Sequence, residues 1–372
     1  MTAACIAHFP LPINTLGETM NDVRKSPKVL RFITGTALVA GLLIPGLPGA
    51  AEPVAVDTRP TAVVSLGDNG ISGEGAGDYE PGTRGENGDW CHRSVHALVH
   101  KTKLAENTIN IACSGSNSAH VSLAGTVHYT EGSQAKRLAV IAKEYQVTTV
   151  IVRVGSNDDP AFSATVVACI YAYLYPDKPA CADNLRPVWA NRLAAMAPKV
   201  RTALTDVKTA MSSVGYTAAD YNLVLTSYAS PITENMDPAW QKGCPFRLSD
   251  AKWARTEAVP QLNQALRGVA LEVGARFLDL GRATEKHEAC SGGADPTNEW
   301  QTQITVDPWE LVHGELDPEE EHRAAESFHP NATAHKKIGG CMTEFVNSTA
   351  SYAICIEGAD GELHPIRAVL NG

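Results

Sequence analysis

The stretch RLAVIAKEYQVTTVIVRVGSND (residues 137–158) decides the fold. Its first nine residues carry helical spacing. Residues 147–155, VTTVIVRVG, are the most β-branched run in the chain and read as a strand buried on both faces. A helix feeding such a strand is the unit of a parallel sheet with helices on both sides. Working outward, four more short apolar runs read as strands: TAVVSLG (61–67), INIAC (109–113), NLVLTSY (222–228) and ARFLDLG (275–281). Residues 187–213 predict a long helix, with Leu193, Met196, Val200, Leu204 and Val207 at three- and four-residue intervals. Residues 250–273 predict another, kinked or split at Pro260. The stretch after His329 reads as helical and the segment from Cys341 as irregular. The expected class is α/β: a three-layer α/β/α sandwich around a five-stranded parallel sheet, flavodoxin-like in plan. In such sheets the site lies at the carboxyl ends of the strands. Those ends carry Asp68-Asn69, Ser114-Gly115, Asn157-Asp158 and Ser227.

The chain has 372 residues and a formal net charge of −10, which argues against a dedicated nucleic-acid binder. Its first fifty residues differ from the rest. Arg24, Lys25, Lys28 and Arg31 precede an apolar run from Phe32 to Ile44, and PGLPGAAEP (45–53) follows. A basic flank, a short apolar run and a small-residue exit are the pattern of a secretory signal peptide, and the run is shorter than a membrane span. The expected organisation is a leader at 1–50 with Met20 as an alternative start, a short linker at 51–60, and one domain at 61–372. Of nine cysteines, Cys5 leaves with the leader. The remaining Cys91, Cys113, Cys169, Cys181, Cys244, Cys290, Cys341 and Cys355 form an even set, which in an exported chain reads as disulfides. Pairing of neighbours in sequence is the expectation. No C-x-x-C pair or Cys/His cluster has zinc-like spacing, so no metal or cofactor is expected.

Four blocks carry the chemistry: GDNGISGEGAGDYEPGT with CHRS (67–94), ACSGSNS (112–118), VGSND (154–158) and ESFHPNATAH (326–335). Together, and in this order on strand ends, they resemble the SGNH or GDSL-type esterase and lipase family, particularly its secreted actinobacterial branch. The resemblance runs from about Val63 to about Gly340. It implies that Gly115 supplies a backbone amide and Asn157 a side-chain amide to an oxyanion hole. It also implies that His329 is the base and that Glu326 stands where an orienting acid would be. The first block departs from the family. Where Gly-Asp-Ser is expected, the chain reads Gly67-Asp68-Asn69, and an amide offers no nucleophile comparable with a serine alkoxide. Asp68 reads as a turn residue bonding backbone amides rather than as a catalytic acid.

Three readings of this altered site follow. The first is hydrolysis of an ester without an acyl-enzyme, His329 activating water while Asn69 orients it or donates to the carbonyl. The second is a non-hydrolytic cyclase, lyase or isomerase, and the third a binding protein without turnover. The expected partner is a small-molecule, lipid or glycan ester, met by a secreted monomer with no membrane anchor once the leader is gone. His335 reads as a surface helix residue. His313 and His322 sit among acidic residues on a solvated face. Tyr171, Tyr173 and Tyr175 read as a substrate wall, a surface strand or ordinary packing. The absence of a G-x-S-x-G elbow counts against the larger α/β-hydrolase fold.

Overall fold

The computed structural model describes residues 57–237 and 242–367. The expected leader and most of the linker lie outside the described residues. Among the described residues, seven strands form one sheet: β1 (Thr61–Gly67), β2 (Asn107–Asn110), β3 (Gln146–Arg153), β4 (Asn222–Thr226), β5 (Arg276–Asp279), β6 (Tyr352–Glu357) and β7 (Leu363–Ile366). Their order is β2-β1-β3-β4-β5-β6-β7, and every pair is parallel except β6 with β7.

Because side chains alternate across a strand, each strand feeds two apolar layers. Val63, Ile151, Val224 and Leu278 face one layer, which includes Ile338, Met342 and Phe345 of helix α10 (Ala332–Asn347). Val64, Val150, Val152, Leu225 and Phe277 face the other. That layer includes residues of α3 (Gln134–Glu144), α5 (Cys181–Ser212) and α7 (Val259–Val273). This is the expected three-layer arrangement.

The five expected strands are β1 to β5, but the sheet has two more. The segment after Cys341, read as irregular, continues α10 and then forms a hairpin of β6 and β7. Strand β6 is only half-buried, so it lacks the continuous apolar run that marks the central strands. Strand β7 carries Pro365, which a sheet tolerates at its edge, and β7 is the edge strand. The tyrosines from 171 to 175 do not form a strand. Helix α4 (Phe162–Leu174) carries the first two, and the Tyr171 and Tyr175 rings lie 4.6 Å apart, one helical turn from each other. Helix α5 begins six residues before the expected start, at Cys181. Pro260 does not split its segment: α6 (Leu248–Trp253), a π-helical turn (Ala254–Ala258) and α7 follow one another with helical φ/ψ at each junction, and Pro260 sits in the first turn of α7, where its missing N–H is tolerated.

Among the described residues, four disulfides each join one cysteine to the next in sequence: Cys91–Cys113, Cys169–Cys181, Cys244–Cys290 and Cys341–Cys355. The first ties the loop after β1 to the end of β2. The second joins α4 to the start of α5, and the fourth joins α10 to β6. No described helix is long and apolar enough to cross a membrane.

Candidate active site

Strand β1 ends at Gly67, whose φ of 130° and closeness to β3 admit no side chain: a Cβ there would lie 1.8 Å from the Arg153 carbonyl oxygen. The chain then turns into α1 (Asn69–Ser72), capped by Asp68, whose Oδ1 accepts the Gly70 N–H at 3.1 Å. Asp68 Oδ2 accepts the Tyr228 hydroxyl at 2.5 Å and the Ser156 hydroxyl at 3.1 Å. Burial pushes the Asp68 carboxyl up to about 6, against those donors and the nearby Arg153 guanidinium. Asp68 therefore holds the turn together, as its sequence position suggests.

The next residue is the unusual one. Asn69 is 8% exposed, and its Oδ1 accepts the Gly115 N–H at 2.7 Å and an Asn157 Nδ2–H at 2.8 Å. Asn157 Nδ2 also donates to the Ser116 carbonyl at 3.0 Å, which fixes the amide's orientation. Gly115 has a φ of 76°, so the turn after β2 presents its N–H inward in a conformation that favours glycine. The loops after β1, β2 and β3 thus bring two N–H donors onto one oxygen. That is the arrangement of an oxyanion hole, and here the Asn69 carboxamide fills it.

His329 follows Phe328, a non-glycine residue held at a φ of 61°. Its Nδ1 lies 3.1 Å from the Ser327 carbonyl oxygen. A carbonyl only accepts, so Nδ1 carries the proton and Nε2 of the neutral ring keeps a lone pair. Burial lowers the imidazole pKa, with Glu74 and the Ser327 carbonyl opposing that shift. The ring meets Phe162 edge-on at 5.7 Å between centroids. Gly75 lets the loop after α1 pass beside it, since a Cβ there would stand 3.0 Å from the His329 Cβ.

Glu326 does not orient His329 directly. Its Oε1 accepts the Tyr79 hydroxyl at 2.8 Å, and the Ser327 carbonyl occupies the place expected of the acid. Tyr79 stacks on His92 at 4.3 Å between ring centroids, and His92 Nδ1 bonds the fully buried Glu74 at 2.8 Å. Burial works against the His92 charge, but Glu74 beside it, with Glu326 and Asp89 nearby, raises the His92 pKa overall. His335 is fully buried rather than on the surface. It lies in the inner stripe of α10 with Ala334 and Ile338, its Nδ1 accepts the Leu98 N–H at 3.1 Å, and burial pushes it down to about 3.

Sequence reasoning missed Arg153. Fully buried at the end of β3, it donates from Nη1 to the Gly70 carbonyl and from Nε to Thr226 Oγ1 at 3.1 Å. The signal was present as a lone charge inside the most β-branched run. Gly70, Arg153, Gln301, Phe162, Phe328 and His329 line a cavity of ≈ 60 Å³. Phe162, Leu262 and Phe328 also form the wall of a second, mainly apolar cavity of ≈ 80 Å³, which reaches Trp189, Phe246 and Trp253. Cys91, Cys113 and Glu131 come within 4.8 Å of one another, but the two sulfurs are bonded together and offer no thiolate to a metal.

The sheet order, the two donors converging on one oxygen at its strand ends, and a buried histidine that shares a cavity with Gly70 and Arg153 are features that the SGNH resemblance led one to expect. The chain belongs to the GDSL-like lipase/acylhydrolase family, whose model matches residues 65–337. It is 24% identical over 321 residues to Lipase 2 of Streptomyces coelicolor, covering 84% of this chain and 95% of that protein. Its fold is similar to that of phospholipase A1 from Streptomyces albidoflavus NA297, with a TM-score of 0.53 and 20% identity over 79% of this chain and 100% of that one.

Proposed function

We propose that the protein is a secreted esterase that hydrolyses its substrate without an acyl-enzyme. The observation that carries this reading is the pair of N–H donors from Gly115 and Asn157 meeting on one oxygen. A substrate carbonyl oxygen displaces Asn69 Oδ1 from those donors as the carboxamide swings aside. His329 Nε2 takes a proton from water, and the water oxygen attacks the carbonyl carbon. The negative charge falls on the oxygen held by Gly115 and Asn157. Collapse expels the alkoxide, which takes the proton back from Nε2. Asn69 forms no covalent intermediate, because its nitrogen lone pair is delocalised into the amide. The apolar cavity walled by Phe162, Trp189 and Trp253 suits an acyl chain. Arg153 Nη2 and Gln301 Oε1 are buried without hydrogen-bond partners among the described residues, and both residues line the cavity at His329. They suit a polar group of the substrate or an ordered water. Export is supported by the leader pattern and the four disulfides.

The test is a panel of acyl esters assayed with wild type and His329→Ala. Turnover lost with His329→Ala, with no labelling of wild type by a covalent serine probe, is the expected result. Labelling of wild type would sink the mechanism. One observation favours a second reading, binding without turnover: the hole is already filled by the protein's own oxygen. Tight ester binding with no product over long incubation supports that reading instead.

A further inference from the structure

Asn69 is followed by glycine. Glycine has no Cβ to hinder its own nitrogen, so in Asn-Gly the backbone N–H of glycine can approach the side-chain amide carbon most freely. The sequence holds three such pairs: Asn69-Gly70, Asn87-Gly88 and Asn371-Gly372. Asn69 is set apart by its surroundings. Its Oδ1 already sits between Gly115 N–H at 2.7 Å and Asn157 Nδ2 at 2.8 Å, where negative charge on that oxygen would be stabilised if Cγ were attacked. The attacking nitrogen is also in contact with a base, because Gly70 N–H donates to Asp68 Oδ1 at 3.1 Å. Burial pushes the Asp68 carboxyl up to about 6, which makes its anion a stronger base than an ordinary aspartate and still leaves it ionised at neutral pH.

We propose that Asn69 is a self-modification site, at which the protein's own groups convert the carboxamide to a carboxylate through a cyclic imide with Gly70. Asp68 Oδ1 takes the proton from Gly70 N, and that nitrogen bonds to Asn69 Cγ. The oxyanion on Oδ1 is held by Gly115 and Asn157. Collapse breaks the Cγ–Nδ2 bond, and ammonia leaves with the proton. Water then opens the imide to aspartate or isoaspartate at position 69. One water is consumed, one ammonia is released, and nothing is oxidised or reduced. Ring closure draws Asn69 and Gly70 out of α1, a helix of only four residues. The product places an ionisable oxygen where the side chain now offers a neutral one. The reaction needs no ester, so it stands whether or not the protein turns one over.

The experiment follows the folded protein in neutral buffer by peptide mass spectrometry, reading amide-to-acid conversion. Cleavage at Arg84 separates Asn69 from Asn87, and an Asn69→Asp protein supplies the aspartyl standard. Asn87 is exposed and serves as an internal reference, and the same chain in denaturant serves as a second. Conversion at Asn69 is expected to be faster than at Asn87, faster in the folded than in the unfolded chain, and to include isoaspartate. Asn157→Ala is expected to slow it about tenfold or more while leaving Asn87 unchanged. Asn69 remaining an amide while Asn87 converts, or converting only in denaturant, overturns the proposal. Conversion to aspartate alone that is lost in His329→Ala overturns the imide route.

Discussion

At the scale of the residue, the site turns on what Asn69 and His329 can do. The His329 imidazole is neutral when its pKa lies below the working pH, and burial lowers that pKa from its ordinary value. Ester turnover that depends on the free base is therefore present above the lowered pKa and lost as pH falls through it. The acid limb of a pH–rate profile for kcat is expected below pH ~6.5, the value of an unperturbed imidazole. A limb well above that value would contradict a buried neutral base. Glu326 contacts Tyr79 rather than His329, so Glu326→Gln is expected to change kcat by less than about tenfold. Removing the acid of a catalytic triad costs about 10⁴. A loss of that size, measured on folded protein, would show that Glu326 acts on the base after all. Neither detail could be read from sequence. The Ser327 carbonyl is a backbone atom that any residue would supply. The Asn69 contacts depend on three loops separated by 46 and 88 positions.

At the scale of the element, the central strands were legible because they are buried on both faces and so read as continuous apolar runs. Strands β6 and β7 were not, because a half-buried strand and a proline-bearing edge carry no such run. The placement of Gly115 and Asn157 was legible for the same reason as the strands, since each follows directly where an apolar run stops. His335 was misread because its polarity concealed its place in the apolar stripe of α10. The Cys341–Cys355 bond holds that helix to β6 and closes a short loop. Replacing both cysteines with serine is expected to cost about 3 kcal/mol and to lower Tm by about 5–10 °C in a thermal melt. An unchanged Tm would mean that the hairpin is held by its packing alone.

At the scale of the whole molecule, the cavity at His329 and the apolar cavity beside it share Phe162, Leu262 and Phe328 as a wall. An ester with a chain long enough to pass that wall buries apolar surface that a short acyl group leaves in water. Each added methylene accommodated there is worth about 0.8 kcal/mol at most, so kcat/KM is expected to rise from acetyl to medium-chain esters by about threefold per carbon and then level off. Trp253→Ala is expected to move the optimum to longer chains, read in the same series. A profile that is flat with chain length would mean that the apolar cavity takes no part in substrate binding. Of the four disulfides among the described residues, Cys169–Cys181 borders the apolar cavity, which Cys169 lines.

The central claim of the proposed function is that the Gly115 and Asn157 donors and the His329 base are competent for catalysis, with Asn69 at the position where the resemblance implies a serine. Its most direct measurement is the rate of ester hydrolysis by Asn69→Ser against wild type. The account predicts a gain of about 10³-fold or more, together with new covalent labelling at position 69 by a serine-directed probe. A folded Asn69→Ser protein with no gain and no labelling would contradict it.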